Sequence, residues 1–198
     1  MEQRPFGRTD ISVSAVGFGC WEIGGTYGAI EETRFQDAVG RAIDNGITCF
    51  DTAEAYGMGV SEEALSRALG TRRSEVTLVT KFGVGYQDKP KGRDSTRGRV
   101  LASIEASLRR LRTDYVDVYM IHWPDPGTPF EETLQALDDI VRQGKARYIG
   151  VSNFRLAQIE ACMKLRRSNM FHAYCTTSTR RSFMQASICA RRKLETPI

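Results

Sequence analysis

Residues 116–152 have the sequence VDVYMIHWPDPGTPFEETLQALDDIVRQGKARYIGVS, in which two apolar runs flank a segment of helical period. The runs Val116–His122 and Arg147–Ser152 are almost continuously apolar, as expected of strands that are covered on both faces. Between them, Thr128-Pro129-Phe130-Glu131 combines a capping box with proline at the first helical position and predicts a helix over Phe130–Arg142. This order of elements predicts a βαβ unit with parallel strands.

The same alternation extends outward on both sides of this unit. Three further apolar runs predict strands at Ala15–Cys20, Ile47–Asp51 and Val76–Lys81. Four further segments predict helices at Glu32–Asp44, at Glu62–Leu69 with Ser61 as its N-cap, at Arg97–Leu111 and at Arg155–Leu165. In front of them, turn residues predict a short hairpin at Arg4–Val13, placed to plug one end of a barrel. The pattern is typical of an α/β protein of the TIM-barrel type, with about five βα units.

Four titratable side chains stand at or just after the ends of successive predicted strands. Asp51 ends the second strand and Tyr56 follows it, while Lys81 ends the third strand and His122 ends the fourth. The carboxyl ends of parallel strands share one mouth in such folds, so these side chains are expected to meet there. Each residue alone is compatible with an ordinary structural role, and their joint placement is what favours a catalytic site.

These residue types suit the reduction of a carbonyl group. A tyrosine hydroxyl has a pKa of about 10, and a neighbouring ammonium favours the phenolate and lowers that pKa. We therefore predict that Lys81, held charged by Asp51, lowers the pKa of Tyr56 and makes it a general acid. His122 is predicted to hydrogen-bond the substrate oxygen. The sequence contains no Gly-rich phosphate loop, nucleophile-and-base pair or metal cluster that favours another chemistry.

Four motifs in this order resemble those of the aldo-keto reductase family. They are Gly46–Ala53 with Tyr56-Gly57 and Ser61-Glu62-Glu63, then Val79-Thr80-Lys81, then Ile121-His122-Trp123-Pro124, and last Lys145 through Gly150-Val151-Ser152-Asn153-Phe154. The resemblance covers residues 4 to about 167. It implies a (β/α)8 barrel that binds NADPH in an extended form and passes a hydride to an aldehyde or ketone. This sequence indeed lacks the GxGxxG loop of the other common dinucleotide-binding fold.

The resemblance also implies roles for individual residues. It matches the four side chains at the strand ends to the family's catalytic tetrad and places Asp51 in the cofactor site as well. Ser152 and Asn153 match the pair that holds the nicotinamide carboxamide. The same two residues are also suited to cap the helix that starts at Arg155, and the two roles are compatible.

Three aromatic residues are expected to line the substrate pocket. The resemblance implies this role for Trp21, Tyr27 and Trp123, and ordinary aromatic packing is the alternative, above all for Tyr27. The expected partner is accordingly a small-molecule carbonyl compound.

Residues 168–198 depart from the pattern of the preceding chain. They contain no glycine although the whole chain has 18, and they carry five basic residues against one acidic residue. Because no convincing sixth strand follows, we predict a partial barrel over residues 1–167 and a divergent basic tail over 168–198, as in a truncated or frame-shifted product. The family places further cofactor contacts in its last strands. The alternative function is therefore a catalytically inactive barrel fragment or binding module.

Composition and charge disfavour other classes of protein. With 41% hydrophobic and 26% charged residues, no run near the roughly 20 apolar residues of a membrane span and no secretory signal, we expect a cytoplasmic protein without membrane attachment. Five cysteines without CxxC spacing and only two histidines favour free thiols and no metal site. The net charge of +4 comes entirely from residues 168–198, so nucleic acid is not an expected partner, and a nucleic-acid or membrane-surface role for this tail is the less favoured alternative.

Overall fold

The computed structural model describes residues 1–7, 9–25, 28, 30–85 and 92–165. An antiparallel hairpin consists of β1 (Gln3–Pro5) and β2 (Ser12–Ser14). A parallel sheet contains β3 (Gly17–Gly19), β4 (Cys49–Asp51), β5 (Thr77–Phe82), β6 (Val116–Ile121) and β7 (Ala146–Val151). The α-helices of this part of the chain are α1 (Glu32–Asp44), α2 (Val60–Leu69), α3 (Arg97–Leu111), α4 (Phe130–Arg142) and α5 (Leu156–Leu165). Two short 3-10 helices span Glu22–Gly24 and Gly70–Glu75.

The order of the strands in the sheet is their order in the chain. Each of the four neighbouring pairs from β3 to β7 is parallel, and one α-helix follows each strand. A parallel pair needs a crossover connection, and the helices supply it. The predicted run of five βα units behind an N-terminal hairpin is confirmed.

The parallel strands are covered on both faces, as their apolar sequences predicted. Side chains alternate between the two faces of a strand, so Leu78 and Tyr119 lie in the large cluster that the sheet forms with the helices. Val79 and Val118 belong to a second cluster on the inner face. Burial on both sides removes these side chains from water, and each fully buried Val, Leu or Phe contributes roughly 1.5–3 kcal/mol to folding.

The hairpin covers the inner face of the sheet. Phe6 and Ile11 are buried in the inner cluster against residues of β4, β5 and β6. At its turn, Asp10 accepts hydrogen bonds from the guanidinium of Arg147 at 2.9 Å and from the hydroxyl of Tyr148 at 2.8 Å, both on β7. The hairpin therefore plugs the sheet from inside and is tied to its last described strand.

Two of the predicted helix N-caps are wrong. Helix α2 begins at Val60 with Gly59 as its N-cap, so Ser61 lies inside the first turn and does not cap it. Gly59 has a φ of +99°, and a Cβ there would lie 2.5 Å from the side chain of Arg110. Helix α4 has Pro129 as its N-cap, and the Thr128 hydroxyl donates to Asp125 at 2.7 Å, so no capping box forms.

Within residues 1–165, as far as the structure describes them, no helix has the length and apolar character needed to cross a bilayer. The same residues contain no group of three or more His, Cys, Asp and Glu side chains placed to hold a metal ion. Cys20, Cys49 and Cys162 are buried and free of disulfide bonds, while burial raises the pKa of the Cys49 thiol to about 12. A thiol with so high a pKa stays protonated and is a poor nucleophile at neutral pH.

Candidate active site

The polar residues predicted at the strand ends lie on the inner face of the sheet. Val79 and Met120 belong to the inner cluster, and Lys81 and His122 stand two positions after them. Alternation therefore places Lys81 and His122 on that face at the carboxyl ends of β5 and β6. Asp51 ends the neighbouring strand β4, in register with Val79. The hairpin turn lies toward the opposite ends of the strands, because Asp10 bonds to Arg147 and Tyr148 near the start of β7.

Lys81 is the centre of the site. Its side chain is only 2% exposed, and its ammonium donates to Asp51 Oδ1 at 2.5 Å, to the Thr52 carbonyl at 3.0 Å and to the Tyr56 hydroxyl at 3.2 Å. An ammonium has three protons, so each proton has one acceptor. A buried charge is tolerated when it is paired and fully hydrogen-bonded, which is the condition that Lys81 meets.

Tyr56 lies between two aromatic neighbours. Its ring meets the imidazole of His122 edge to face, with centroids 5.6 Å apart and an interplanar angle of 79°. On another side the ring of Trp21 has its centroid 6.2 Å away. The structure thus brings together the predicted residues Asp51, Tyr56, Lys81 and His122, with Trp21 beside them.

Two loops approach each other closely behind Tyr56. A Cβ added to Gly24 would lie 2.8 Å from the backbone of Tyr56 and Gly57, and a Cβ added to Gly57 would lie 2.8 Å from the Gly24 carbonyl oxygen. Gly57 also has a φ of +64°, a conformation that side chains disfavour. Glycine at both positions lets the loop after β3 press against the turn that carries Tyr56.

The predicted direction of the Tyr56 pKa shift is wrong. Burial raises the pKa of the Tyr56 phenol, and the charge of Lys81 offsets only part of this effect, so the pKa lies above its ordinary value. Burial alone would lower the pKa of Lys81, but the charges of Asp51 and Tyr56 outweigh burial and raise it. At neutral pH the site therefore contains a protonated phenol beside a charged ammonium. The phenol keeps a proton to donate, and the ammonium is placed to stabilise the phenolate that donation would leave.

His122 is held in its neutral form. Burial, with a smaller effect from the Lys81 charge, lowers the pKa of His122 to about 3. Its Nδ1 atom is buried and makes no hydrogen bond to any described residue. Its backbone is fixed on both sides, because its N–H donates to the Phe82 carbonyl at 2.9 Å and its carbonyl accepts from Asn153 Nδ2 at 2.8 Å. A neutral imidazole has one N–H to donate.

The depressed pKa of His122 predicts a loss of stability in mild acid. The unfolded chain binds this proton near pH 6.5 and the folded chain near pH 3, so the contribution is complete above pH 6.5 and is lost as the pH falls toward 3. We expect the wild type to lose about 1 kcal/mol more than His122→Asn between pH 7.5 and 5.5, measured by urea unfolding. His172→Gln, at the chain's other histidine, is the control and should behave as the wild type. Equal losses in wild type and His122→Asn would refute a buried neutral imidazole.

Ser152 and Asn153 lie directly after β7, next to the end of β6. The N–H of Ser152 donates to the Ile121 carbonyl at 2.8 Å, and Asn153 has a positive φ of 61°. The Asn153 amide donates to the His122 carbonyl at 2.8 Å and to Ser152 Oγ at 3.0 Å. These two residues therefore stand beside His122 at the mouth of the sheet.

The predicted pocket aromatics are placed in part. Trp21 and Trp123 are 41% and 39% exposed, which leaves both rings open to a ligand. The guanidinium of Arg93 lies over the Trp123 ring at 5.1 Å and donates to the Pro124 carbonyl at 3.0 Å. Tyr27 lies outside the described residues, as do residues 168–198.

The buried polar groups behind the site were not predicted from the sequence. Ser61 and Glu62 have no measurable exposure and bond across to other elements, Ser61 to the Cys20 carbonyl and Glu62 to Thr80 and Arg110. The available signal was an acidic residue and a serine on the buried side of an amphipathic helix, where only bonded polar side chains are tolerated.

Comparison with known proteins assigns the chain to a family. A family model described as "Aldo/keto reductase family" matches residues 15–179 and so runs past the predicted boundary at residue 167. The protein "Aldo-keto reductase YhdN" of Bacillus subtilis is 41% identical over 163 residues, which are 81% of this chain and 49% of that protein. A "Putative voltage-gated potassium channel subunit beta" of Schizosaccharomyces pombe is 39% identical over 163 residues, which are 79% of this chain and 46% of that protein.

A solved structure has the same fold. The "aldo-keto reductase AKR11C1 from Bacillus halodurans (holo form)" superposes with a TM-score of 0.78 at 32% identity, covering 89% of this chain and 58% of that one. This likeness to (β/α)8 barrels confirms the predicted fold class. The chain spans about half the length of the curated relatives it matches. With a family model matching most of its residues and solved relatives sharing its fold, this chain belongs to the aldo/keto reductase family.

Proposed function

We propose that this chain is an oxidoreductase that reduces an aldehyde or ketone to an alcohol with NADPH, and that Tyr56 is its general acid. The observation that carries the proposal is the Lys81 ammonium, which is bonded at once to the Asp51 carboxylate and to the Tyr56 hydroxyl. In this arrangement the phenol of Tyr56 keeps a proton that it can donate. The fixed positive charge of Lys81 stabilises the phenolate that forms when the proton leaves.

The reaction needs a hydride, a proton and donors for the carbonyl oxygen. NADPH, when bound, would supply the hydride to the carbonyl carbon, and the electron pair of the broken π bond moves to oxygen. Tyr56 gives its proton to that oxygen, and Lys81 stabilises the phenolate left behind. Neutral His122 donates its single N–H to the same oxygen. Fixed donors at a developing oxyanion lower a barrier by about 3–4 kcal/mol each.

The residues proposed to hold the cofactor are Asp51, Ser152 and Asn153. Asp51 Oδ2 is buried and has no hydrogen-bond partner among the described residues, so one acceptor remains for a ligand hydroxyl. Ser152 and Asn153 follow β7 beside His122, where an amide of the cofactor could meet their side chains. The choice of NADPH rests on the resemblance of the four sequence motifs, and the Bacillus halodurans relative was solved in a holo form.

The proposed activity is tested by mixing the purified protein with NADPH and a nitrobenzaldehyde. We expect NADPH absorbance to fall at a rate proportional to protein and to require the aldehyde. The Schizosaccharomyces pombe relative supports a second candidate, a binding module that retains the site, because that protein is named as a channel subunit. Saturable NADPH binding seen by fluorescence, without any aldehyde-dependent oxidation, would favour the module. Absence of both would refute the oxidoreductase.

The proposed pocket predicts a change in affinity at Trp123. Removing this half-exposed ring in Trp123→Ala should raise KM for an aromatic aldehyde about 10-fold, since stacking of an aromatic ligand is worth roughly 1.4 kcal/mol, with kcat changed less. Tyr115→Ala is the matched control, because Tyr115 is 36% exposed and also lies under an arginine, Arg73, at 4.7 Å. Steady-state kinetics should show its KM unchanged. Equal KM values for both variants and the wild type would show that Trp123 does not line the substrate pocket.

We also propose that residues 1–167 form the barrel portion and residues 168–198 a separate basic tail. The proposal rests on the change in glycine content and charge balance after residue 167. Deleting residues 168–198 is expected to leave the thermal unfolding midpoint within a few degrees of the full chain. A collapse of folding on deletion would show that the tail belongs to the core.

A further inference from the structure

Ser61 makes buried hydrogen bonds to three different parts of the site. It lies in the first turn of α2 with no measurable exposure. Its N–H donates to the Tyr56 carbonyl at 3.1 Å, its hydroxyl donates to the Cys20 carbonyl at 2.6 Å, and its hydroxyl oxygen lies 2.8 Å from that of Thr52. The side chain of Ser61 therefore joins the ends of β3 and β4, and its backbone N–H ties them to the turn that carries Tyr56.

The hydroxyl contacts have a defined direction. A serine hydroxyl has one proton, and the Cys20 carbonyl can only accept, so the Ser61 proton is used there. In the contact between Thr52 and Ser61, Thr52 must then be the donor. The result is an ordered chain in which Thr52 donates to Ser61 and Ser61 donates to Cys20.

Both Thr52 and Cys20, the two ends of this row of hydrogen bonds, are bonded to residues of the proposed site. The Thr52 carbonyl accepts a proton of the Lys81 ammonium at 3.0 Å. The N–H of Cys20 donates to the Asp51 carbonyl at 2.9 Å, next to the Asp51 side chain that pairs with Lys81. Together with its bond to Tyr56, Ser61 fixes the backbone on which the acid, the ammonium and the carboxylate stand.

We infer that Ser61 is a positioning residue whose buried hydrogen bonds hold the Lys81 ammonium at bonding distance from the Tyr56 hydroxyl. The inference rests on the proposed function for its catalytic meaning. Its structural part is that the Lys81 ammonium is held less firmly when Ser61 loses its hydroxyl. This effect can be measured without following turnover.

The direct test follows the ammonium protons of Lys81 by nitrogen-15 NMR of the full chain at neutral pH. These protons exchange slowly while all three are bonded and buried. We expect Ser61→Ala to speed their exchange with water at least about 10-fold, because the Thr52 carbonyl is no longer held in place. Ser66→Ala is the matched control, since Ser66 is a buried serine of the same helix whose side chain bonds to none of the site residues, and its exchange should match the wild type.

A kinetic measurement separates positioning from general packing. We expect Ser61→Ala to lower kcat about 10-fold with KM within about twofold, because misplacement of the acid affects the chemical step more than binding. If Ser61→Ala does not fold, Thr52→Val removes the same hydroxyl chain from its other end and keeps the Thr52 carbonyl, and it should act in the same direction.

The outcomes are distinct. Unchanged Lys81 exchange in a folded Ser61→Ala or Thr52→Val variant overturns the inference. A wild type that oxidises no NADPH, with Lys81 exchange still dependent on Ser61, overturns the proposed function and leaves the positioning of the ammonium intact.

Discussion

Replacing Tyr56 with phenylalanine is expected to lower kcat for aldehyde reduction by about 100- to 10,000-fold, the range that a general acid contributes. The variant loses the proton that the reduced oxygen requires and retains the ring between Trp21 and His122. Among the described residues the hydroxyl loses its hydrogen bond from Lys81, so stability should fall by less than about 1.5 kcal/mol. Kinetics with saturating NADPH and a nitrobenzaldehyde, together with thermal unfolding, measure both effects.

Tyr115→Phe is the matched control for this variant. Tyr115 is a surface tyrosine near the start of β6, outside the site, and removal of its hydroxyl should leave kcat within about twofold of the wild type. NADPH affinity should be the same in both variants, because the proposed cofactor contacts involve other residues. Turnover by a folded Tyr56→Phe protein at the wild-type rate would exclude Tyr56 as the acid.

The largest effect on stability is expected at Glu62. Its carboxylate has no measurable exposure and is bonded to the Thr80 hydroxyl at 2.6 Å and to Arg110 Nε at 2.6 Å. Glu62→Ala would leave a cavity, an unbonded hydroxyl and a cation without its partner, and breaking one side of a buried pair costs 3–5 kcal/mol. Arg110 is 20% exposed and can recover water contacts, so we expect about 3 kcal/mol, measured by urea unfolding.

The next residue in the chain provides the comparison. Glu63 is 53% exposed and lies 3.9 Å from Arg67, so Glu63→Ala should cost less than about 0.5 kcal/mol. A difference between the two variants of less than 1 kcal/mol would show that the Glu62 carboxylate contributes little net stability. Because Thr80 directly precedes Lys81, Glu62→Ala is also expected to impair turnover before it unfolds the protein.

The helices and strands could largely be predicted from the sequence. Helices Glu32–Asp44, Arg97–Leu111 and Phe130–Arg142 have the bounds that their apolar period predicted. The first strand was predicted as Ala15–Cys20, but the strand itself spans Gly17–Gly19. Apolar runs show which residues are buried, whereas strand ends depend on which backbone groups find a partner, and single-residue patterns do not contain that information.

The site was predictable where it depends on topology and unpredictable where it depends on burial. Asp51, Lys81 and His122 come together because parallel strands bring their carboxyl ends to one edge, a rule that applies to the sequence directly. The pKa of Tyr56 was predicted in the wrong direction because the charge of Lys81 is visible in the sequence and the burial of the phenol is not. Ser61 was assigned to a helix cap for a similar reason, since its partner Cys20 lies 41 positions away.

The sequential order of the sheet has a consequence for assembly. Every parallel strand pairs with its neighbours in the chain, so each βα unit can dock onto the previous one as it emerges from the ribosome. The bonds from Asp10 to Arg147 and Tyr148 are different, because they join residues 137 and 138 positions apart. The hairpin is synthesised before β7 and must wait for that strand before these bonds can form. A segment that is made before all five parallel strands is therefore secured only after the last of them.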